Sequence, residues 1–123
     1  MINKIRLYGT ASALGALTVN GERSISGRIY KIVWLSGTFV DDVDAVISVI
    51  NDDGNETILT LTDANSDANY YPRTLVHDAT GTALTGTSGG DREMPFVVGR
   101  PRLVVSDGGD SKTGGCIIYY FED

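Results

Sequence analysis

The chain is poor in the residues that staple small proteins or carry out catalysis: its 123 residues include one cysteine, Cys116, and one histidine, His77. A lone cysteine cannot form a disulfide within the chain, so the stability has to come from packing. A chain of this length fits one domain, 1–123, and can bury a modest core without a metal or a disulfide. A reducing cytoplasm suits such a protein, and so does secretion without a disulfide.

Long apolar runs and clusters of positive charge are also missing. The first ten residues, MINKIRLYGT, alternate in polarity, and no stretch predicts a signal peptide or a transmembrane helix. The net charge is -6, the pI is about 4.6, and the ten lysines and arginines are scattered singly, whereas a free-standing nucleic-acid binder normally carries a basic stripe. We therefore expect no membrane association and no direct nucleic-acid binding. An acidic surface gives solubility and also matches a partner with a basic face.

Catalytic motifs are scarce. Asp78 follows His77, but adjacent residues on a strand point to opposite faces, so this carboxylate would not orient the imidazole. There is no Gly-x-Ser-x-Gly elbow, and Cys116 lies in an apolar segment, where a thiol usually only packs. The glycine-rich stretch Ser106–Gly115 lacks the spacing and the following helix of a phosphate loop, and it predicts a hairpin loop instead. We expect no catalytic residues, no cofactor and no enzymatic activity.

Helical periodicity is nearly absent, and short apolar or alternating runs are separated by clusters of Gly, Asp, Asn and Ser. This pattern predicts an all-β fold, a two-sheet antiparallel β-sandwich of the jelly-roll or immunoglobulin-like kind with eight or nine strands. The predicted strands are Ile2–Tyr8, Ala13–Val19, Ile25–Ser36, Ala45–Ile50, Thr57–Thr62, Thr74–His77, Phe96–Val98, Arg102–Ser106 and Cys116–Phe121.

Two turns and one strand have their own chemistry. NDDGNE, 51–56, and VNGER, 19–23, contain Asp-Gly and Asn-Gly pairs, which favour tight hairpins between the flanking strands. The run IYKIVWL is apolar on both faces, which favours a central strand. By alternation, Tyr30, Ile32 and Trp34 share one face, and we expect Trp34 to fill the core.

The stretch DANSDANYY, 63–71, has an oxygen-bearing side chain at every second position, as short calcium-binding loops do: Asp63, Asn65, Asp67 and Asn69. Such loops also need a glycine after the third ligand and a bidentate glutamate further on. Here those positions hold Ala68 and Thr74, and the flanks predict strands. We therefore expect an ordinary polar loop and no metal site, with a weaker site shared with Asp41, Asp42 or Asp44 as the alternative.

From Tyr71 onward the sequence resembles small virion proteins of tailed bacteriophages. The resemblance lies in VHDATG, 76–81, in PFVVGRPRLVV, 95–105, and in a Gly-Gly-Asp loop before a final aromatic strand. It covers about the last two-fifths of the chain, while the first part matches in strand pattern. It implies an all-β structural protein that binds other virion proteins, and it carries over no active site.

We therefore expect a structural protein made in the host cytoplasm and incorporated in the virion. It would decorate or cement the capsid exterior by binding the major capsid protein or other virion proteins, and it could form homo-oligomers. The alternatives are a tail or baseplate component and a carbohydrate-binding β-sandwich module. Long loops often bind partners, and an N-terminal strand can extend a neighbour's sheet. The predicted contact residues are Ile2, Ile5, Leu7, Arg92, Glu93 and Met94.

Overall fold

A computed structural model describes residues 2–83 and 92–122, and all regular secondary structure in these two ranges is β. None of the described residues belongs to a helix with the length and apolar character needed to cross a membrane. The ten strands are β1 (Ile2–Thr10), β2 (Leu17–Asn20), β3 (Ile25–Leu35), β4 (Asp44–Asn51), β5 (Gly54–Leu61), β6 (Ala68–Tyr70), β7 (Thr74–Leu75), β8 (Arg92–Glu93), β9 (Phe96–Ser106) and β10 (Thr113–Glu122).

Every strand pair is antiparallel. The main path runs β1–β10–β3–β9–β4–β5, with β2 also beside β9, β6 also beside β3, and β7 paired with β8 apart from this path. One layer consists of β1, β10, β3 and β6, and the other of β2, β9, β4 and β5. Strand β9 joins the layers, because Phe96–Gly99 pair with β3 whereas Arg100–Ser106 pair with β4. The predicted all-β sandwich is confirmed.

One hydrophobic core lies between the layers, and the strands of both layers contribute to it with alternate side chains. In β10 the side chains of Cys116, Ile118 and Tyr120 are buried, while the residues between them are partly exposed. The indole of Trp34 is fully buried, as predicted, and its Nε1 donates a hydrogen bond of 2.7 Å to the carbonyl oxygen of Ala64. The buried indole N–H therefore has the partner that burial requires.

Strand β3 contains a bulge that the sequence analysis missed. Tyr119 pairs with Lys31 and Tyr120 pairs with Ile29, so Tyr30 is an extra residue without an opposite partner on β10. A bulge of one residue reverses the alternation beyond it. Ile29 and Ile32 are therefore both buried, whereas Tyr30 is 37% exposed. The prediction that Tyr30 shares the inner face with Ile32 and Trp34 is wrong for this reason.

The second strand is shorter than predicted. Residues 13–16 form a turn rather than the start of a strand, and β2 begins at Leu17. The Ser12 hydroxyl accepts hydrogen bonds from the backbone N–H groups of Leu14 and Ala16, and Gly15 has a φ of 80° that suits glycine. The hydrogen bonds to the Ser12 hydroxyl thus hold residues 13–16 in a turn, although the apolar residues of this segment favour an extended conformation.

Several connections also differ from those predicted. The β4–β5 hairpin is present, with Asn51 paired to Gly54, but β2 pairs with β9 and forms no hairpin with β3. Of the segment Ser106–Gly115, residues 107–112 form a loop. It is not a hairpin loop but leads from one layer to the other, because β10 pairs with β1 and β3 rather than with β9. Strand β6 lies inside the stretch predicted to be a loop, and the predicted strand Thr74–His77 is shortened to β7.

Candidate partner-binding groove

The predicted N-terminal contact residues do not share one face. Ile2 is 51% exposed, but Ile5 and Leu7 are buried in the core and do not present their side chains to a partner in this chain. Their burial follows from alternation along β1, which pairs with β10 on one side only and forms an edge of the sheet path. An edge strand offers its backbone to a neighbour, so strand addition at β1 stays a prediction that depends on the backbone and on Ile2.

The other predicted contact residues lie together. Arg92, Glu93 and Met94 line a concavity of about 540 Å³, whose remaining walls come from sequence-distant segments. We call this concavity the arginine–aromatic groove. Its lining residues are Arg28, Tyr30, Arg73, Arg92, Glu93, Met94 and Phe121.

The aromatic part of the groove exists because of the bulge in β3. The Tyr30 ring lies 5.9 Å from that of Phe121 in an edge-to-face arrangement and 5.8 Å from that of Tyr71, measured between centroids. These are favourable geometries for aromatic pairs, so the neighbours hold the exposed ring in place. Bulges commonly re-aim a side chain next to a functional site. Without the bulge, alternation would point the residue before Lys31 into the core.

Arg28 lies between two aromatic residues on the outer face. It pairs with Phe121 of β10 on one side and with Phe96 of β9 on the other, and directly opposite residues point to the same face. Phe96 is 51% exposed. Within the part of the chain that the structure describes, the Arg28 guanidinium has no hydrogen-bond or ion-pair partner. This cation is therefore available to an anionic group of a partner.

Arg73 is held differently. Its Nη1 donates hydrogen bonds to the carbonyl oxygens of Tyr30, at 3.1 Å, and Pro72, at 2.6 Å. The first bond ties the connection after β6 to the bulge, so Arg73 fixes the wall of the groove in addition to lending it charge. Three arginines and one glutamate give the groove a local charge of opposite sign to that of the whole chain, which is -6.

The tyrosines do not form a sugar-stacking platform. Tyr120 is buried, and its hydroxyl accepts a hydrogen bond from Arg23 at 3.2 Å, while the Nζ of Lys31 lies 5.0 Å above the Tyr119 ring. Tyr71 is 48% exposed, but its ring is tilted by 47° from that of Tyr30. A flat array of exposed rings, which the carbohydrate-binding alternative requires, is thus absent from these described residues.

The residues weighed as catalytic are engaged in structure. The Asp78 carboxylate accepts hydrogen bonds from the Thr80 hydroxyl and from the backbone N–H groups of Thr80 and Thr82, at 2.7 to 3.0 Å, and these bonds lower the pKa of Asp78. The resembling segment VHDATG is therefore a side-chain-capped turn. Burial raises the pKa of Cys116 to about 12, so its thiol stays protonated at neutral pH.

The oxygen-bearing side chains of Asp63–Asn69 serve local structure. Asp67 Oδ1 accepts hydrogen bonds from the backbone N–H and the hydroxyl of Ser36, at 2.8 and 2.9 Å, and both bonds lower the pKa of Asp67. Asn65 donates to Asp41 at 2.9 Å. Among the described residues, no group of three or more His, Cys, Asp or Glu side chains is placed to hold a metal ion.

We expect this loop to be insensitive to calcium. Chelator should leave the melting temperature unchanged, and millimolar calcium should add little, because the Asp67 carboxylate already accepts hydrogen bonds from Ser36 and the Asp41 carboxylate accepts one from Asn65. A specific site would stabilise the fold by about 2.7 kcal/mol at a hundredfold excess over its Kd. Thermal melts with and without calcium test this. A calcium-dependent rise of several degrees that is lost in Asp67→Ala would contradict it.

Comparisons with known proteins return distant matches to solved structures. No protein-family model matches the chain, and no curated protein matches it. Among solved structures, it is similar to a chain in the structure of infectious bursal disease virus Gx strain, with a TM-score of 0.30 and 16% identity over 100% of this chain and 38% of that chain. For the Gt strain of the same virus the TM-score is 0.28 and the identity 16%, over 100% and 36% of the two chains. This chain spans less than two-fifths of those chains, and TM-scores at this level establish no common function.

Proposed function

We propose that the chain is a non-enzymatic structural protein of a tailed-bacteriophage virion, made in the host cytoplasm and placed on the capsid exterior. The arginine–aromatic groove is the observation that supports a binding role. Tyr, Phe, Met and Arg are the side chains enriched in protein–protein interfaces, and here they converge on an otherwise acidic molecule. The resemblance of the segment from Tyr71 onward to tailed-phage virion proteins supplies the particle.

The mechanism would be attachment of many copies through modest contacts. A compact acidic sandwich stays soluble while free, and a lattice then presents the same surface to every copy, so the individual contacts need not be strong. The aromatic rings would supply the buried area, while the guanidiniums set orientation and partner choice by charge complementarity. The partners would be the major capsid protein and other virion proteins.

The test is binding to mature capsids that lack this chain. The purified protein should occupy saturable, symmetry-related positions in electron microscopy, and it should show neither hydrolase activity nor DNA binding at physiological salt. Density confined to the tail or baseplate would refute the capsid position, but it would still agree with a structural protein of the virion. Absence from the particle together with binding to a purified polysaccharide would refute both.

A groove variant with a matched control sharpens this test. Arg92→Ala combined with Met94→Ala should weaken attachment by about 2 kcal/mol, as expected when anchor residues of an interface are truncated. The control, Arg100→Ala with Val98→Ala, removes the same kinds of side chain from exposed positions of β9 outside the groove. It should attach normally, and both variants should stay folded, because none of the four truncated side chains is buried in the core.

A further inference from the structure

An exposed leucine lies at the tip of a hydrogen-bonded turn, at the end of the molecule away from the groove. Leu14 is 91% exposed, at the tip of the turn that begins at Ser12. Backbone hydrogen bonds hold the turn closed, from Ser12 to Ala16 at 2.8 Å and from Gly15 to Ser12 at 3.0 Å, and Gly108 donates to the Gly15 carbonyl at 2.9 Å. Because the turn is already ordered, a partner that buries this leucine does not have to order the loop first.

Aspartates lie beside this leucine. Together with Val40 it lines a concavity of about 550 Å³ whose polar wall is acidic. None of these carboxylates forms an ion pair with a residue that the structure describes. We call Leu14 with this acidic wall the aspartate-flanked knob. The wall consists of Asp42, Asp44, Asp63, Asp107 and Asp110.

The knob and the arginine–aromatic groove are chemically complementary. The knob is apolar at Leu14 and anionic beside it, whereas the groove is lined by Tyr30, Met94 and Phe121 together with three arginines. They lie at opposite ends of β9, since Phe96 is opposite Arg28 and Asp107 directly follows Ser106. A strand of this length spans roughly 30 Å at 3.3 Å per residue. The knob therefore cannot reach the groove of the same molecule.

We infer that an occupant of the groove is the aspartate-flanked knob of a second copy of this chain. This inference rests on the proposed function in taking the groove as a contact surface, and it adds a second copy of the chain to the virion partners. Leu14 of one copy enters between the aromatic side chains of the next, and the aspartates beside it face Arg28, Arg73 and Arg92. Such a contact joins two different surfaces, so it repeats from copy to copy and builds a closed ring or an open chain.

Self-association of the purified full chain is the first measurement. Sedimentation velocity over a concentration series should show association at about 0.1 M salt that weakens at about 1 M salt, where the Debye length falls from about 10 Å to about 3 Å. Leu14→Lys removes the apolar tip and places a cation against the arginines of the groove. Arg28→Glu places an anion against the aspartates of the knob. Each variant alone should associate about tenfold to a hundredfold more weakly. For Leu14→Lys this is the loss expected when one buried leucine is removed from an interface.

Mixing the two variants is the decisive step. Arg28→Glu retains an intact knob and Leu14→Lys retains an intact groove, so an equimolar mixture should form a complex of two chains at the wild-type affinity. It should stop there, because the remaining knob and groove could form only a single exposed ion pair, which contributes little. Val104→Lys and Arg100→Glu are the matched controls, since both change exposed side chains outside the two surfaces. They should associate as the wild type does.

The outcomes separate this inference from the proposed function. A wild-type chain that stays monomeric at about 1 mM, where a contact would contribute only about 4 kcal/mol, would overturn the inference even if the chain binds capsids. So would unchanged association in both variants, or a mixture of the two folded variants that does not pair. Self-association with the expected variant pattern, in a protein absent from the particle, would support the contact and refute the virion assignment.

Discussion

A chain that lacks Cys116–Asp123 should not fold. This segment contains most of β10, which lies between β1 and β3 and pairs with both. Its loss removes the buried side chains of Cys116, Ile118 and Tyr120 and also uncovers those of Ile5 and Leu7 on β1. Each large apolar side chain lost from a core costs about 2–5 kcal/mol, against a total stability of about 5–15 kcal/mol. The sum exceeds the stability available.

Circular dichroism and thermal melting measure this result. The truncated chain should lose the β signal and the cooperative transition. A shorter deletion, of residues 122–123, is the control, because Glu122 is the exposed last residue of β10, and its carboxylate accepts a hydrogen bond from the side chain of Asn3, which is itself partly exposed. That control should melt close to the full chain. A cooperative transition at an unchanged melting temperature in the longer deletion would show that the segment is a detachable tail and that the core is closed without it.

The final strand was predictable because its signal is local. In CIIYYF, residues 116, 118 and 120 are buried and those between them are less so, as alternation requires. The β4–β5 hairpin is also local, since the turn residues lie between the two strands that they join. Burial of Trp34 follows from size and polarity. Features of this kind depend on neighbours in sequence, and the sequence analysis identified them.

The continuity of β9 was not predictable in the same way. The sequence pattern predicted two strands, Phe96–Val98 and Arg102–Ser106. Between them lie Gly99 and Pro101, residue types that weaken a strand or cannot donate to its ladder. In the structure they mark the place where the strand leaves β3 and follows β4 into the other layer. The Pro101 carbonyl accepts from the Gly21 N–H at 2.8 Å, and a Cβ at Gly99 would clash with the Ile50 carbonyl oxygen. Those neighbours are distant in sequence.

The groove was predictable only in part for the same reason. Arg92, Glu93 and Met94 were predicted from their place in the Gly/Thr-rich stretch 80–96, of which residues 84–91 lie outside the described residues. Arg28, Tyr30, Arg73 and Phe121 come from three other segments. The bulge did leave a trace in the sequence. Small or apolar residues recur at 25, 27 and 29 and then at 32 and 34, so the two alternations are out of phase by one residue. An extra residue between 29 and 32 explains that phase shift.

The extra residue in β3 can be tested by deleting it. Deletion of Tyr30 should weaken partner binding at the groove by about 2 kcal/mol or more and leave the protein folded. Ile29 and Lys31 would become adjacent, and their partners on β10, Tyr120 and Tyr119, are already adjacent, so the ladder would become regular. Ile29 and Ile32 would both still face the core. The expected stability change is about 1–2 kcal/mol, from the lost contacts of the ring with Tyr71 and Phe121 and from local strain.

The free energy of binding should fall by at least as much as the free energy of unfolding. Tyr30 belongs to both aromatic pairs of the groove, and its backbone carbonyl oxygen accepts a hydrogen bond from Arg73. Loss of such an anchor costs an interface about 2 kcal/mol or more. Titration of the variant against mature capsids and against itself, next to its thermal melt, measures both quantities on the same preparation.

Deletion of Val33 is the matched control, because it removes one residue from the regular part of the same strand. Val33 pairs with Ile117 on one side and Asn69 on the other, so its loss turns the residues on one side of the gap, Trp34 among them, to the wrong face. A one-residue slip of this kind exchanges the inner and outer faces of a strand, and this variant should unfold. If both deletions unfold the protein, the bulge is required by the fold itself. If the Tyr30 deletion folds and still binds with unchanged affinity, the partner surface lies elsewhere. A folded, weakly binding Tyr30 deletion beside an unfolded Val33 deletion would show that the extra residue in β3 serves the groove rather than the core.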